Sequence, residues 1–400
     1  MNIMSIFNHL ATWMWVFLAL IVYAYVGYPM VIWALSRLLG KRPECADLAE
    51  EDLPYISLLI AAYNEEDEIG SRVQNALAMD YPREKLQVVI GSDGSTDATT
   101  EIVSMYAGQG VKLLDFEERR GKAAVLNAAV PGLDGEIVLF SDANTYNDPM
   151  AARKLVRWFR DPEVGAVCGR LILTDPETGR NADSLYWKYE SFLKRCEGRM
   201  GAILGANGGI YAIRKELFAP IPADTILDDF VIPLRAKLRE GCAIVYDYDA
   251  IAREETPANV KAEFHRRTRI GAGGFQCIGM LWRLLDPRRG WVAFSFLSHK
   301  ILRWLCPFFM IGLVASNLLL VSSERPVYGY VLFGQACFYL GSALSAYIPS
   351  GKKVLKPLRL AAMFTSMNVA LMFGFWRWLL GSQKGVWRRT PRLTEAEKAV

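Results

Sequence analysis

The sequence predicts an α/β domain on a mostly parallel, doubly wound sheet, flanked by transmembrane and interfacial helices. Three observations carry that reading. From residue 55 onward, short apolar runs alternate with segments of helical period, as strands and helices do in a sheet covered on both faces. The runs end in loops rich in acids, amides and glycine, and ligands sit at such carboxyl ends of strands. Apolar stretches able to cross roughly 30 Å of hydrocarbon stand toward both ends of the chain.

Composition agrees. Of 400 residues, 52% are hydrophobic beside 22% charged, a mixture of a soluble domain and membrane segments. A net charge of +4 is too small to point to nucleic acid, and the basic residues cluster beside apolar runs instead. The 7 cysteines lie far apart with no Cys-x-x-Cys pair, which argues against a zinc site or a disulfide framework and for a reducing compartment. With 3 histidines, His9 and His299 beside apolar runs, general-base chemistry falls to carboxylates.

The first element, residues 11–39, carries no charge before Arg37, and it lacks the basic start and cleavage site of a signal peptide. Arg37, Lys41 and Arg42 follow it, so the N-terminus is expected outside and the main domain in the cytosol. Residues 43–54 form an acidic linker. Strands are then expected at 56–60, 86–90, 111–114 and 137–140, separated by helices at 66–78, 98–106 and 122–130. Asp148-Pro149 opens another helix. A strand at 164–173, a helix at 183–199, a glycine-rich turn at 205–209 and a basic helix at 259–269 follow. Between the last two, Asp228-Asp229 starts a helix in which Pro233 either makes a kink or ends a first turn.

Composition shifts again near Trp291. Residues 298–304 place basic and aromatic side chains at helical spacing, as an interfacial stretch does. Residues 306–321 enter the membrane and 327–348 return. The segment 357–380 has Lys352, Lys353 and Lys356 before it and Lys384, Arg388, Arg389 and Arg392 after it. A spanning helix would put one basic cluster on the wrong side, so an interfacial or re-entrant helix is expected, with the C-terminus cytosolic.

Four loops should meet along one sheet edge: Tyr63-Asn64-Glu65, Ser92-Asp93-Gly94-Ser95-Thr96-Asp97, Arg119-Arg120-Gly121-Lys122 and Asp142-Ala143-Asn144. Asp142 and Asn144, at i and i+2, can turn two oxygens onto one hard cation. Asp93 can accept from a base or ribose, and Lys122 can offset phosphate charge. Together they describe a nucleoside-diphosphate pocket. Each residue also has a plainer use: Asp142 or Asp97 as a helix cap, Gly94 and Gly121 as turn residues. Asp228 and Asp229 alone equally describe charges favoured at a helix N-terminus, and the 266–269 arginines a solvated basic helix.

The set Ala-Tyr-Asn-Glu, Ser-Asp-Gly-Ser-Thr-Asp, Arg-Gly-Lys-Ala-Ala-Val-Leu-Asn and Ser-Asp-Ala-Asn resembles the family 2 glycosyltransferases of GT-A fold. The resemblance continues through Asn207-Gly208-Gly209-Ile210-Tyr211, Leu227-Asp228-Asp229 and Arg266-Arg267-Thr268-Arg269, covering about 55–276. With its flanking membrane segments the chain is similar to the synthases of cellulose, hyaluronan, chitin and poly-N-acetylglucosamine. The resemblance implies that Tyr63, Glu65 and Asp93 hold uridine, that Lys122 and Asp142 hold the diphosphate, and that Asp142 with Asn144 holds magnesium or manganese. It implies Asp229 as general base with Asp228 beside it at the family's Glu position, and Arg266, Arg267 and Arg269 at the acceptor-side basic motif. Trp387-Arg388-Arg389-Thr390-Pro391-Arg392 resembles a gating-loop motif.

The chain departs from the family pattern in three places. Asn144 replaces a second Asp and removes a charge from the metal site. Ile270 stands where Trp would stack under the acceptor sugar, and Arg266 stands where Gln would be. These changes weigh against long-chain processivity.

The expected domains are a membrane helix (1–42), a linker (43–54), the catalytic domain (55–285), interfacial and transmembrane helices (286–380) and a basic tail (381–400). The expected reaction is inverting transfer of a sugar from a UDP-sugar to a hydroxyl of a glycan or lipid-linked acceptor, at a bacterial plasma or inner membrane. Membrane lipids, an export partner or a second copy of the chain are the expected associates, and nucleic acid is not. Single transfer to a lipid, or a non-catalytic scaffold role in export, are the other readings. The scaffold predicts loss of Lys122, Asp142 or Asp229, which are all present.

Overall fold

A computed structural model describes residues 3–41, 44–175, 185–256, 260–323, 325–345 and 356–385. The chain begins with α1 (Ile3–Val22), a π-helical turn at Tyr23–Gly27 and α2 (Tyr28–Leu38). The alternating region follows as β1 (Ile56–Ala62), α3 (Glu66–Leu77), β2 (Leu86–Asp93), α4 (Thr99–Ser104), β3 (Val111–Phe116), α5 (Lys122–Ala129) and β4 (Ile137–Asp142). Then come β5 (Thr145–Asn147), α6 (Ala151–Val156), β6 (Val164–Thr174), α7 (Leu185–Arg199), β7 (Tyr211–Arg214), α8 (Asp228–Glu240) and β8 (Ala243–Glu255). The remainder is helical: α9 (Val260–Leu281), α10 (Trp291–Ser295), a π-helical stretch at Phe296–Ile301, α11 (Leu302–Leu320), α12 (Pro326–Leu344) and α13 (Lys356–Leu379). Two compact units result. One holds Met1–Val31, Glu263–Phe275 and Phe296–Gln383, and the other holds Ile32–Ala262, Gln276–Ser295 and Lys384–Val400.

The second unit is built on an 8-stranded sheet of order β3-β2-β1-β4-β7-β6-β8-β5. Its first half is parallel as expected, with β1 between β2 and β4. The second half is mixed: β7 runs antiparallel to both β4 and β6, and β5 runs antiparallel to β8. The expected mostly parallel sheet is thus found, with β6 and β8 also parallel and antiparallel pairs confined to β7 and β5. Hydropathy alone could not tell which pairs are antiparallel, because an apolar run reveals a strand but not its partner's direction. Every residue of β1 is buried, as a central strand covered on both faces requires. Ile56, Leu58, Ile60, Leu139 and Val88 lie in a core cluster with Ile69 and Val73 of α3, each such burial being worth about 1.5–3 kcal/mol.

Register decides where the site forms. Ala62 is level with Ser92, Ala61 with Asp142, and Asp93 with Phe116, so the parallel strands end together. The loops after them therefore share one edge.

In the helical unit, α1 packs along α11. Phe17 stacks on Phe309 with ring centroids 6.3 Å apart, and a Cβ on Gly312 would come within 2.6 Å of the Phe17 ring. Met14, Leu313, Leu320 and Tyr328 form its small core. Among the described residues four helices are long and apolar enough to cross a membrane: Phe7–Leu38, Trp291–Leu320, Pro326–Leu344 and Pro357–Leu379. The last was expected to be interfacial or re-entrant. It forms one uninterrupted helix, with no break at which a re-entrant chain would reverse.

Candidate active site

The first loop is set by Asn64, which takes the left-handed conformation at φ 52°, a conformation asparagine tolerates better than most residues. Its side chain bolts the β1 loop to the β2 loop: Thr96 N donates to Asn64 Oδ1 at 2.8 Å, and Asn64 Nδ2 to Thr96 Oγ1 at 3.2 Å. Asp97 takes its plainer role, accepting from Thr99 N at 3.0 Å ahead of α4 and from Glu66 N at 3.2 Å. Glu65 is buried, and its N–H donates to Thr99 Oγ1 at 2.8 Å. The Arg119 guanidinium lies 3.6 Å from the centroid of the Tyr63 ring.

Asp93 is completely buried. Its two oxygens accept from the N–H groups of Arg120 at 2.7 Å and Gly121 at 2.9 Å, so it builds the turn that launches α5. Gly121 there has φ 91°, a conformation that favours glycine. The next residue, Lys122, opens α5 and points its ammonium into the acidic edge.

Lys122 Nζ lies 2.7 Å from Asp142 Oδ1 and 3.2 Å from Asp228 Oδ2. The longer contact is electrostatic, since no donor is aligned on Asp228 Oδ2. Asp228 and Asp229 form the first turn of α8, where the helix dipole favours negative charge. A Cβ on Gly208 would lie 3.3 Å from both Asp142 Oδ2 and Asp229 Oδ2. The backbone of that turn therefore runs against both carboxylates, and Lys122, Asp142, Asp228 and Asp229 meet at one place.

The charges shift one another. Burial pulls the Lys122 ammonium down, but Asp142 and Asp228 outweigh it and hold Lys122 above its usual range. For Asp229, burial first and then the Asp228 charge push the carboxyl up to about 6, against the pull of Lys122.

Helix α8 runs unbroken through Pro233, which therefore neither ends a first turn nor stops the helix. Proline cannot donate to the carbonyl four residues back, which is that of Asp229. That carbonyl accepts instead from Ala206 N at 2.9 Å, stapling the glycine-rich turn to the start of α8. Ser141 Oγ donates to Gly209 O at 2.7 Å from the other side.

The oxygen donors here suit a hard divalent cation. Asp142 keeps a third of its side chain exposed, and three carboxylates face one ammonium. Asn144 Nδ2 donates to Glu254 Oε1 at 3.2 Å, which leaves its carbonyl oxygen as the atom to offer a metal. Among the described residues no group of three or more His, Cys, Asp or Glu side chains is arranged to hold an ion by itself. Any cation at Asp142 and Asn144 would thus take further oxygens from its substrate.

Arg266 and Arg267 belong to the helical unit, where their Nε atoms pair with Glu263 of the same helix at 3.0 and 2.6 Å. Arg269 is half-buried. Trp387 and the rest of its motif lie outside the described residues. Just before them, Gly385 backs onto the main chain of Asp224.

Two residues near the site, Arg72 and Lys194, escaped the sequence reading, and Tyr211 stood in a quoted motif without a role. Arg72 of α3 is fully buried, its Nε donating to Asp142 O at 3.3 Å, and burial holds its pKa down to about 10. Tyr211 is buried against Phe140, its phenol unpaired and its pKa raised by burial and the neighbouring carboxylates. Lys194 of α7 donates to Asn207 Oδ1 at 2.7 Å and to Ala206 O at 3.2 Å. Neither Arg72 nor Lys194 lies in a motif. Arg72, an arginine on the buried face of an amphipathic helix, was the one legible signal.

Comparison with known proteins bears on the domain that holds this site. Residues 57–247 match the profile of Glycosyl transferase family 2. A poly-beta-1,6-N-acetyl-D-glucosamine synthase of Staphylococcus aureus is 28% identical over 253 residues, 60% of this chain and 58% of that protein. Its counterpart in Staphylococcus epidermidis is 27% identical over 236 residues, 56% and 55% of the two chains. The chain thus spans a little over half the length of these curated relatives. A solved mannosyltransferase, PcManGT from Pyrobaculum calidifontis in complex with GDP-Man and Mn2+, superposes with a TM-score of 0.69 at 23% identity, covering 92% of this chain and 99% of that one. That likeness concerns the fold, a GT-A-like mixed sheet with helices. Residues 57–247 thus form a glycosyltransferase domain of the family 2 type.

Proposed function

We propose that the protein transfers a sugar from a UDP-sugar to a hydroxyl acceptor at a membrane, with inversion, in the synthesis of a surface polysaccharide or its repeat unit. The observation that carries this is the meeting of Lys122, Asp142, Asp228 and Asp229 at the carboxyl edge of the parallel strands. Displacement at the anomeric carbon develops negative charge on the leaving diphosphate and frees a proton from the attacking hydroxyl. Lys122 is placed to offset the first, and Asp229 to accept the second. A carboxyl pushed up to about 6 is a stronger base than an ordinary aspartate and is still mostly ionised at pH 7. Direct attack by one acceptor oxygen inverts the anomeric centre.

Tyr63 and Glu65 line the uridine side of the edge, and Asp93 supports it by shaping the Arg119–Lys122 loop. Asp142 and Asn144 would hold a magnesium or manganese ion, which when bound neutralises diphosphate charge. Arg266, Arg267 and Arg269 are assigned to the acceptor and diphosphate, and Trp387 to gating. The domain is assigned to the cytosol, with the N-terminus outside and the C-terminus inside, by the bias of Arg37 and Lys41. A lipid-linked product, an export partner or a second copy would complete the path across the membrane.

A second reading is transfer of one sugar to a lipid acceptor, favoured by Ile270 in place of the tryptophan that would stack under an acceptor sugar. Release of nucleoside diphosphate by the protein in nanodiscs tests both. The panel is UDP-sugars and GDP-mannose with manganese or magnesium, beside Asp229→Asn and a chelator control. Turnover with one UDP-sugar, abolished by Asp229→Asn and by chelation, is the expected result, and product size then separates polymer from single transfer. Turnover with GDP-mannose alone would overturn the donor assignment. No binding of any donor would sink the catalytic reading.

A further inference from the structure

The amphipathic helix α7 contributes one cation whose bonds all run toward the acidic edge. Lys194 Nζ donates to Asn207 Oδ1 at 2.7 Å and to Ala206 O at 3.2 Å, and lies 3.6 Å from Cys168 Sγ. An ammonium has three protons to donate, and these acceptors take all of them. Asn207 passes the restraint on, its Nδ2 donating to Gly169 O at 2.8 Å in the neighbouring strand. The residues on either side of Asn207 touch the reaction site directly. Ala206 N–H holds the Asp229 carbonyl that Pro233 leaves unpaired, at 2.9 Å. Gly208 runs against the facing oxygens of Asp142 and Asp229.

We infer that Lys194 is a positioning residue for sugar transfer: it fixes the 205–209 turn and, through that turn, the place of the Asp229 carboxylate relative to Asp142. The inference deepens the function proposed above and rests on Asp229 being the base. A half-buried ammonium is a costly way to fill space, since the lysine gives up water and rotamer freedom. A methionine of similar length at this position of α7 would fill the same space. What the ammonium adds is a rigid link between a helix and a glycine-rich turn whose one polar side chain is that of Asn207.

The test compares Lys194→Met, Lys194→Arg, Asn207→Ala and the Lys194→Met/Asn207→Ala pair with wild type and Asp229→Asn, all in nanodiscs. Misplacing a catalytic group by about 1 Å costs on the order of a hundredfold, so Lys194→Met is expected to lower kcat about 10- to 100-fold with donor KM within about threefold. Lys194→Arg, which keeps the donors, is expected to recover most of that loss. The double variant should be no slower than the slower single, because both changes cut one link. Hydrogen exchange of the Ala206 and Asn207 amides gives an activity-free readout and should accelerate at least tenfold in Lys194→Met.

Wild-type kcat in Lys194→Met would overturn the inference. So would a fall in kcat and rise in KM shared equally by Met and Arg variants with a lowered melting temperature, which marks a merely structural lysine. If Asp229→Asn were as active as wild type, the assignment of the base would fail instead, while unchanged amide exchange in Lys194→Met would overturn the link by itself.

Discussion

Two residues of the acidic edge make opposite demands on the fold. Asp229 has a folded-state pKa of about 6, above the 3.8 of a free aspartate, so the folded protein binds its proton more tightly than the unfolded chain does. Stability from this group is full below about pH 4 and is lost as pH rises toward and through 6. Asp229→Asn should therefore be more stable than wild type at pH 7.5 by about 1–3 kcal/mol while losing about 10²–10⁴-fold in turnover. Melting curves at pH 5 and 7.5 check the first half, because the gain should shrink at the lower pH. For wild type, kcat/KM should rise with pH through a limb near 6, since the base works ionised. Lys122 works the other way. Its raised pKa keeps it charged at every working pH, and removing it leaves Asp142 and Asp228 facing each other. Breaking a buried pair costs about 3–5 kcal/mol, and 18% exposure of Lys122 puts it at the lower end. Lys122→Met should lower the melting temperature as well as donor affinity. Asp142→Asn should lose donor affinity without that thermal cost, and equal destabilisation by both would contradict the electrostatic account.

At the scale of elements, the site is made by two unlike devices. Strand ends in register bring Tyr63, Asp93 and Asp142 to one edge, and that device was legible, since four apolar runs each ending in a polar loop describe it. The other device, the staple between the 205–209 turn and α8, was not. Pro233 looked like a helix fault, and only the Ala206 bond to the Asp229 carbonyl explains it. Short β7 hides behind that turn, and β8 carries Asp247, Asp249 and Arg253, so neither has the plain apolar signature of β1. Pro233→Ala tests the staple. Alanine restores an N–H that competes with Ala206 for the same carbonyl, so the variant should fold at least as stably as wild type yet turn over several-fold more slowly. Gly208→Ala probes the same place from the turn. Its Cβ would stand 3.3 Å from two carboxylate oxygens and no positive φ is at stake there. The melting temperature should stay within a few degrees while turnover collapses, and a variant that keeps full turnover would show that the turn does not frame the reaction.

At the scale of the whole molecule, the membrane arrangement turns on α13. Among the described residues four helices have the length and apolarity to cross. If all four did so from an N-terminus outside, the C-terminus would return outside, carrying Lys384 and the arginines at 388, 389 and 392 with it. Basic residues flanking short loops resist translocation, at a cost set by the membrane potential and the anionic inner leaflet. The same segment is preceded by Lys352, Lys353 and Lys356, so either end placed outside offends the rule. Lying in the interface satisfies both ends. The helix has the means to do so: Arg359 near its start, Arg377 between Trp376 and Trp378 near its end, and exposed Leu360, Val369 and Phe373. At about 1.5 Å per residue its 24 residues are also long enough to span, so length does not decide and charge does. The prediction is that a green fluorescent protein fused after Val400 fluoresces in bacterial cells while a periplasmic phosphatase at the same position is inactive. Moving the charge should move the helix. Replacing Lys384, Arg388, Arg389 and Arg392 by glutamine removes the basic cluster that follows its last end, and should make part of the population cross with that end outside. An active phosphatase fused to the unaltered chain would instead make α13 a fourth span and place the basic tail, with Trp387, on the side opposite to the donor sugar.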